Sequence, residues 1–131
     1  MITGGHVTVF VSDMDQAVHF YTKTLGLELT QRFGNHWASV QAPNGLVIGL
    51  HPASEQSPAG KRGSISIGFQ TDGPIAGVVD TLAKQGVSFP AGIIDDTQVL
   101  IAPFADPDGN ELYFAEARSD LRPGKTNVSA A

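Results

Sequence analysis

Two periodicities meet within the first 26 residues. From His6 to Val11 the chain alternates, so Val7, Val9 and Val11 fall on one side of a strand and His6, Thr8 and Phe10 on the other. Met14, Ala17, Val18, Tyr21 and Leu25 then recur at helical spacing and form one stripe. Asp13, with Gln16 three residues on, predicts a capping box, and Gly26 can close the helix in the left-handed conformation. The helix should cover the valine side. His6, Thr8 and Phe10 are left facing the opposite side, where function is expected.

The alternation continues through a strand at 27–33, a Gly34-Asn35 pair suited to a tight hairpin, and a strand at 37–42. In the latter, Trp37, Ser39 and Gln41 oppose Ala38, Val40 and Ala42. Pro43-Asn44-Gly45 turns the chain, and at 46–51 Val47, Gly49 and His51 oppose Leu46, Ile48 and Leu50. Residues 52–62 are polar and rich in breakers, so they read as a linker. The opening then returns, because Gly63-Ser-Ile-Ser-Ile-Gly-Phe69 echoes Gly5-His-Val-Thr-Val-Phe-Val11.

A second helical stripe follows in Ile75, Val78, Val79, Leu82 and Ala83, with Pro74 at its first turn and Gly86 at its end. Strands are expected at 87–89, 98–104 and 111–116, joined by Asp95-Asp96 and by Asp106-Pro-Asp-Gly109. An internal offset of about 60 residues marks a duplicated unit. The expectation is an α+β fold in which two βαβββ modules, 1–51 and 63–116, form curved mixed sheets within a single domain of 1–116. Residues 117–131 read as a polar tail, mobile unless packed on a partner chain. The uncovered sides of the two sheets should face each other across a cleft, the usual place for a small-molecule site.

Composition narrows the function classes. A chain of 131 residues can bury a core without staples, and 41% hydrophobic with 16% charged content is that of an ordinary globular protein. The absence of cysteine excludes disulfides, thiolate chemistry and cysteine-ligated zinc. A net charge of −5 with eight Lys+Arg argues against nucleic acid as a partner, and Lys61-Arg62 reads as a solvated basic pair. With neither a secretion signal nor an apolar run long enough to span a membrane, the chain reads as cytoplasmic. There is no Gly-rich phosphate loop and no nucleophile elbow.

Parity assigns the lining of the expected cleft. His6, Thr8 and Phe10 come from the first strand, Trp37 and Ser39 from the third, Val47 and His51 from the fourth. Ser64 and Ser66 come from the strand that opens the second module, and Tyr113 from the last. Trp37, the only tryptophan, either stacks on a planar ligand or packs at an edge or interface. Tyr113 either donates a hydrogen bond to a ligand oxygen or simply packs. His6, His51 and Glu111 compose a two-histidine, one-carboxylate set of the kind that leaves open positions on Fe, Mn, Ni or Zn. The competing reading has His51 ending its strand in solvent and Glu111 merely following the turn. His19 falls off its helix stripe, His36 follows the hairpin turn, and Glu116 reads as a terminal charged residue.

Three stretches carry a resemblance: His6-Val-Thr-Val-Phe-Val-Ser-Asp13, Phe20-Tyr-Thr-Lys-Thr-Leu-Gly-Leu27 and Phe104-Ala-Asp-Pro-Asp-Gly-Asn-Glu-Leu-Tyr-Phe-Ala-Glu116. With them the chain, up to about Glu116, resembles the vicinal oxygen chelate superfamily, which includes glyoxalase I, extradiol dioxygenases, and fosfomycin- and bleomycin-resistance proteins. The resemblance implies the same fold and a homodimer, but it leaves the activity open, since one frame hosts many chemistries. Metal-dependent members take ligands from the first and last strand of each unit. Carried over, those positions fall on His6, Gly49, Ser64 and Tyr113. Glycine has no ligating side chain, serine is a poor ligand, and a lone histidine does not hold a divalent ion against water.

The expectation is therefore a metal-free, cofactor-free cleft that binds or sequesters a small, partly aromatic molecule, as in the bleomycin-binding branch. The alternative is a metal-dependent lyase, isomerase or dioxygenase using the displaced His6, His51 and Glu111 set. A third reading has His6 or His51 as general base and Tyr113 as acid, without metal.

Overall fold

The computed structural model describes residues 1–117 apart from Ile2, Arg62, Ser64, Thr97 and Gln98. Ser64, the first residue of the strand expected at 98–104, and the expected tail beyond Ala117 lie outside the described residues. The chain divides into two compact units, one of Met1–Ile65 with Ala105–Glu111, the other of Ser66–Phe104 with the chain from Leu112. No helix of the described residues is long and apolar enough to cross a membrane.

The first unit is built on a four-stranded sheet of β1 (Val7–Val11), β2 (Glu28–Phe33), β3 (Trp37–Gln41) and β4 (Val47–Pro52), in the order β1-β4-β3-β2. β1 and β4 run parallel, which requires a crossover, and α1 (Met14–His19) supplies its first part. Asp13 caps α1 by accepting a hydrogen bond from the Gln16 amide at 3.0 Å, as the capping pattern predicts. Beyond His19 the expected single helix changes pitch, with Phe20–Thr24 forming a π-helical turn in which the Leu25 amide reaches back to the Phe20 carbonyl at 2.9 Å. The Thr22 hydroxyl donates to the Val18 carbonyl at 2.6 Å, a back-bond that competes with the regular ladder.

Period-2 parity holds across this sheet. Val9, Val11, Ala38, Val40, Ile48 and Leu50 are buried at 0–1% exposure against Met14, Ala17, Val18 and Tyr21. Each large aliphatic side chain so buried contributes on the order of 2 kcal/mol, so a one-residue slip of any central strand is strongly disfavoured. The hairpin between β2 and β3 is a three-residue turn, Gly34-Asn35-His36, rather than the expected two-residue one. It closes with the His36 amide on the Phe33 carbonyl, while Arg32 fastens it through the Gly34 carbonyl, Asn35 and Asp15.

The second sheet comprises β5 (Ser66–Phe69), β6 (Ile94–Asp95), β7 (Val99–Ala105) and β8 (Glu111–Ala117), in the order β5-β8-β7-β6. The helix α2 (Ile75–Lys84) contributes Ile75 and Leu82 to the core of this unit, beside Phe69, Phe104 and Phe114. Phe104 and Phe114 stack with ring centroids 4.9 Å apart, and Phe89 packs on both.

The strand expected at 87–89 is not formed. The Val87 amide is taken by the Leu82 carbonyl and the Phe89 carbonyl by the Gly92 amide, and Pro90 has no amide to give a ladder. The outer strand falls instead at Ile94–Asp95, paired with Ile101 and Leu100. Glu116 is no idle terminal charge, because its carboxylate accepts from the Ile75 amide at 2.8 Å and so caps α2, whose own N-cap, Pro74, offers no side-chain acceptor.

Candidate functional site

The side of the first sheet that α1 leaves uncovered carries two adjoining rows. Strand register sets Thr8 beside Gly49, Gly49 beside Ser39, and Ser39 beside Gln31, a row of small and polar groups. The neighbouring row is aromatic. Phe10 pairs with His51 in register, Phe33 pairs with Trp37, and the Trp37 and His51 rings lie 6.5 Å apart edge to face. His6 closes on Trp37 at 5.2 Å and Phe10 on His51 at 5.7 Å, both edge to face, the orientation that π-quadrupoles favour.

Gly49 makes this arrangement possible. A Cβ placed there would come within 2.2 Å of Trp37 Cη2, so the indole lies over the glycine backbone. Ser39, only 7% exposed, is held beneath the surface by the Thr30 hydroxyl at 2.8 Å. His51 is exposed, and its Nδ1 lies 2.8 Å from the Pro52 carbonyl. A carbonyl only accepts, so Nδ1 carries the proton and Nε2 is the nitrogen left to meet a ligand.

Beside Phe10 the sheet gives onto a cavity of ≈ 300 Å³, whose lining includes Thr8, Phe10, Gln56, Lys61, Ile65 and Asn110. Four of its lining residues, Gln56, Ser57, Pro58 and Lys61, come from the linker, which two features order. Ser54 and Ser57 exchange hydrogen bonds at 3.0 and 3.1 Å, and the Gly60 amide donates to Asn110 Oδ1 at 3.1 Å. Gly60 passes so close to the Asp108 carbonyl that a Cβ would stand 1.8 Å from it, and its φ of +67° suits only glycine.

The turn that receives the linker is itself knotted by a buried carboxylate. Asp106 accepts from the Asp108 and Asn110 amides, from Asn110 Nδ2 and from the Tyr21 hydroxyl at 2.9 Å. Asn110 Nδ2 also donates to the Phe10 carbonyl, and Ser12 donates to Asp108 through its amide and its hydroxyl. Burial, and then the Asp106 carboxylate, push the Tyr21 phenol far above its ordinary range, so it stays a donor.

The expected lining is thus partly assembled. His6, Phe10, Trp37 and His51 come together, with Thr8 and Ser39 in the adjoining row and half-buried Val47 at the start of β4, paired with Gln41. Ser66 is exposed on the second sheet, where Tyr113 lies over Gly68 as Trp37 lies over Gly49, with 2.4 Å between its Cζ and a Cβ built at that glycine. Among the described residues no group of three or more His, Asp or Glu stands close enough to hold a metal ion, so His6, His51 and Glu111 are not brought together. Glu111 instead accepts from the Gly63 amide at 2.9 Å. Sequence reasoning missed Phe33, 58% exposed in the aromatic row, because its pairing with Trp37 depends on the three-residue turn. Lys61, read as solvated, is exposed, and it also borders the cavity.

Residues 4–114 match the family model described as the Glyoxalase/Bleomycin resistance protein/Dioxygenase superfamily. The virulence protein STM3117 of Salmonella typhimurium is 29% identical over 119 residues, covering 85% of this chain and 81% of that one. Among solved structures, TnmS3, an antibiotic binding protein from Streptomyces sp. CB03234, aligns with a TM-score of 0.75 at 26% identity, over 90% of this chain and 100% of its own. A glyoxalase/bleomycin resistance protein from the same organism aligns with a TM-score of 0.72 at 26% identity, over 87% of this chain and 100% of its own.

Proposed function

We propose that this chain, which belongs to the Glyoxalase/Bleomycin resistance protein/Dioxygenase superfamily, binds a small planar aromatic molecule on its first sheet and does so without a metal ion. One observation carries the proposal: the Trp37 indole lies over Gly49. Gly49 is the position at which the resemblance places a carboxylate ligand in metal-dependent members. Here it offers no donor atom, and a ring occupies the space a ligating side chain would need. Of the remaining carried-over positions that the structure describes, His6 packs edge-on against the same indole and Tyr113 lies over Gly68. One imidazole and one phenol make a poor set for a divalent ion, which needs three or four N/O donors. The described residues at the family's ligand positions do not fit a metal.

The same features suit stacking. A row of aromatic side chains offers large contact area at little entropic cost, and the adjoining Thr8, Ser39 and Gln31 row offers hydroxyl and amide groups to a ligand's edge. That TnmS3 is described as an antibiotic binding protein supports a binding role over a catalytic one. The reading includes a homodimer, on the family pattern alone.

The test combines metal analysis of unchelated protein with calorimetric titration of 2-naphthoate. Binding is expected to be equal with and without EDTA, and Trp37→Ala should weaken it by about tenfold, the loss of one stacking partner. Stoichiometric Fe, Mn, Ni or Zn in the purified protein, or binding abolished by the chelator, overturns the proposal.

A further inference from the structure

We infer that the linker stretch 56–61 is the acid-recognising half of the site: Lys61 takes a carboxylate carried by the aromatic ligand, inside the cavity beside Phe10. The inference rests on the aromatic-binding reading above and adds the ligand's charge. The cavity adjoins the aromatic row at Phe10, whose ring meets His51 and which, with Thr8 and Val9 of the same strand, belongs to the cavity's lining. A ligand ring lying along that row therefore presents its substituent to the linker.

The lining is selective in charge. Among the described residues of the lining Lys61 is the only charged one, in a chain of net charge −5, and it forms no ion pair with any described carboxylate. Gln56 and Ser57 add neutral polar groups at the same wall. Asn110, although it reaches the cavity, is already committed: its amide nitrogen serves Phe10 and Asp106 and its oxygen the Gly60 amide. Lys61 is then the cation that the described lining offers an anion, with Gln56 and Ser57 as neutral donors beside it. At ≈ 300 Å³ the space is near the lower limit for ligand pockets, enough for a substituent and part of a ring rather than a whole drug-sized molecule. The wall is also preorganised, since the Ser54–Ser57 exchange and the Gly60–Asn110 bond fix the backbone on either side of Gln56 and Lys61 before any ligand arrives.

The experiment compares 2-naphthoate with 2-naphthamide, a pair of nearly equal shape and different charge, by calorimetry on the full chain. Wild type is expected to bind the acid about fivefold more tightly, the scale of one partly exposed ion pair. Lys61→Gln should bring the ratio to about one, and Lys61→Arg should keep it. Lys84→Gln, which removes a cation paired with Asp80 on α2, should leave it unchanged and so exclude a general effect of net charge. Equal affinity for the two probes in wild type, or a preference that survives Lys61→Gln, overturns this inference and leaves aromatic binding standing. Failure of both probes to bind overturns the aromatic reading and this one with it.

Discussion

At the scale of single residues, the site depends on what is missing at position 49. Glycine there lets an indole settle on the backbone, and any side chain larger than hydrogen must displace it. Gly49→Ala tests this directly. The clash is with the outer edge of a ring that can swing, so the expected cost is modest, about 1 kcal/mol by denaturant titration. The emission of Trp37, the only tryptophan, should shift to the red as the ring leaves its seat, and naphthoate binding should weaken in parallel. An unchanged emission spectrum means the indole does not sit there. This contact was only half legible in the sequence. Parity placed Trp37 and Gly49 on one face, because a strand's two-residue period is fixed by backbone geometry. It could not show that they touch, since Trp37 reaches diagonally across the ladder to its neighbour's next position. Phe33 went unnoticed for a related reason: Arg32 and a third turn residue, His36, shape the hairpin, and the Gly34-Asn35 pair alone does not reveal the register.

At the scale of elements, local signals were reliable where the stabilising contact is local, and failed where it comes from elsewhere. Asp13 caps α1 from three residues away and was readable. The cap of α2 comes from Glu116, 41 residues along the chain, and no window of sequence contains both partners. Likewise the Val87–Phe89 stretch has strand-forming residues, but its backbone groups are spent closing α2 and making the Phe89–Gly92 turn. The Glu116 contact gives a quantitative expectation. Its carboxylate satisfies an otherwise open amide and sits at the positive end of the helix dipole. Glu116→Ala should therefore destabilise the protein by about 1 kcal/mol, and Glu116→Gln, which keeps an acceptor but drops the charge, by less. Hydrogen exchange checks the mechanism: the first-turn amides of α2 should exchange faster in Glu116→Ala, with α1 unaffected. Equal protection in the two helices of the variant would mean that this cap contributes nothing of its own.

At the scale of the whole molecule, the first unit is completed by residues from near the chain's far end. Residues 105–111 belong with 1–65, and the bonds that attach them join Phe10 to Asn110, Ser12 to Asp108 and Tyr21 to Asp106. The same turn anchors the linker at Gly60, so the cavity wall depends on a contact between sequence-distant segments. The repeat in the sequence suggested two modules, 1–51 and 63–116, and a periodicity does not reveal that residues 105–111 group with the first unit. Tyr21 is its most sensitive point, being fully buried and donating to a carboxylate that is itself only 5% exposed. Tyr21→Phe keeps the ring and removes the donor, and should cost about 2 kcal/mol, the worth of a hydrogen bond to a charged group. The pH dependence reports how firmly burial and then Asp106 hold the phenol's proton. Below pH about 10 the phenol is protonated in both the folded and unfolded chain, so its contribution is constant. Above that, the unfolded chain releases the proton while burial and Asp106 hold it in the folded one. The native state then binds more protons than the unfolded state, so stability falls as pH rises, by about 1.4 kcal/mol per unit from this group. Other alkaline titrations are common to wild type and variant and cancel in the difference. The stability gap between wild type and Tyr21→Phe should therefore be flat from neutral pH to about 10 and narrow above it. A gap that stays constant to pH about 11 means that the phenol ionises equally in both states and that Asp106 is not holding its proton.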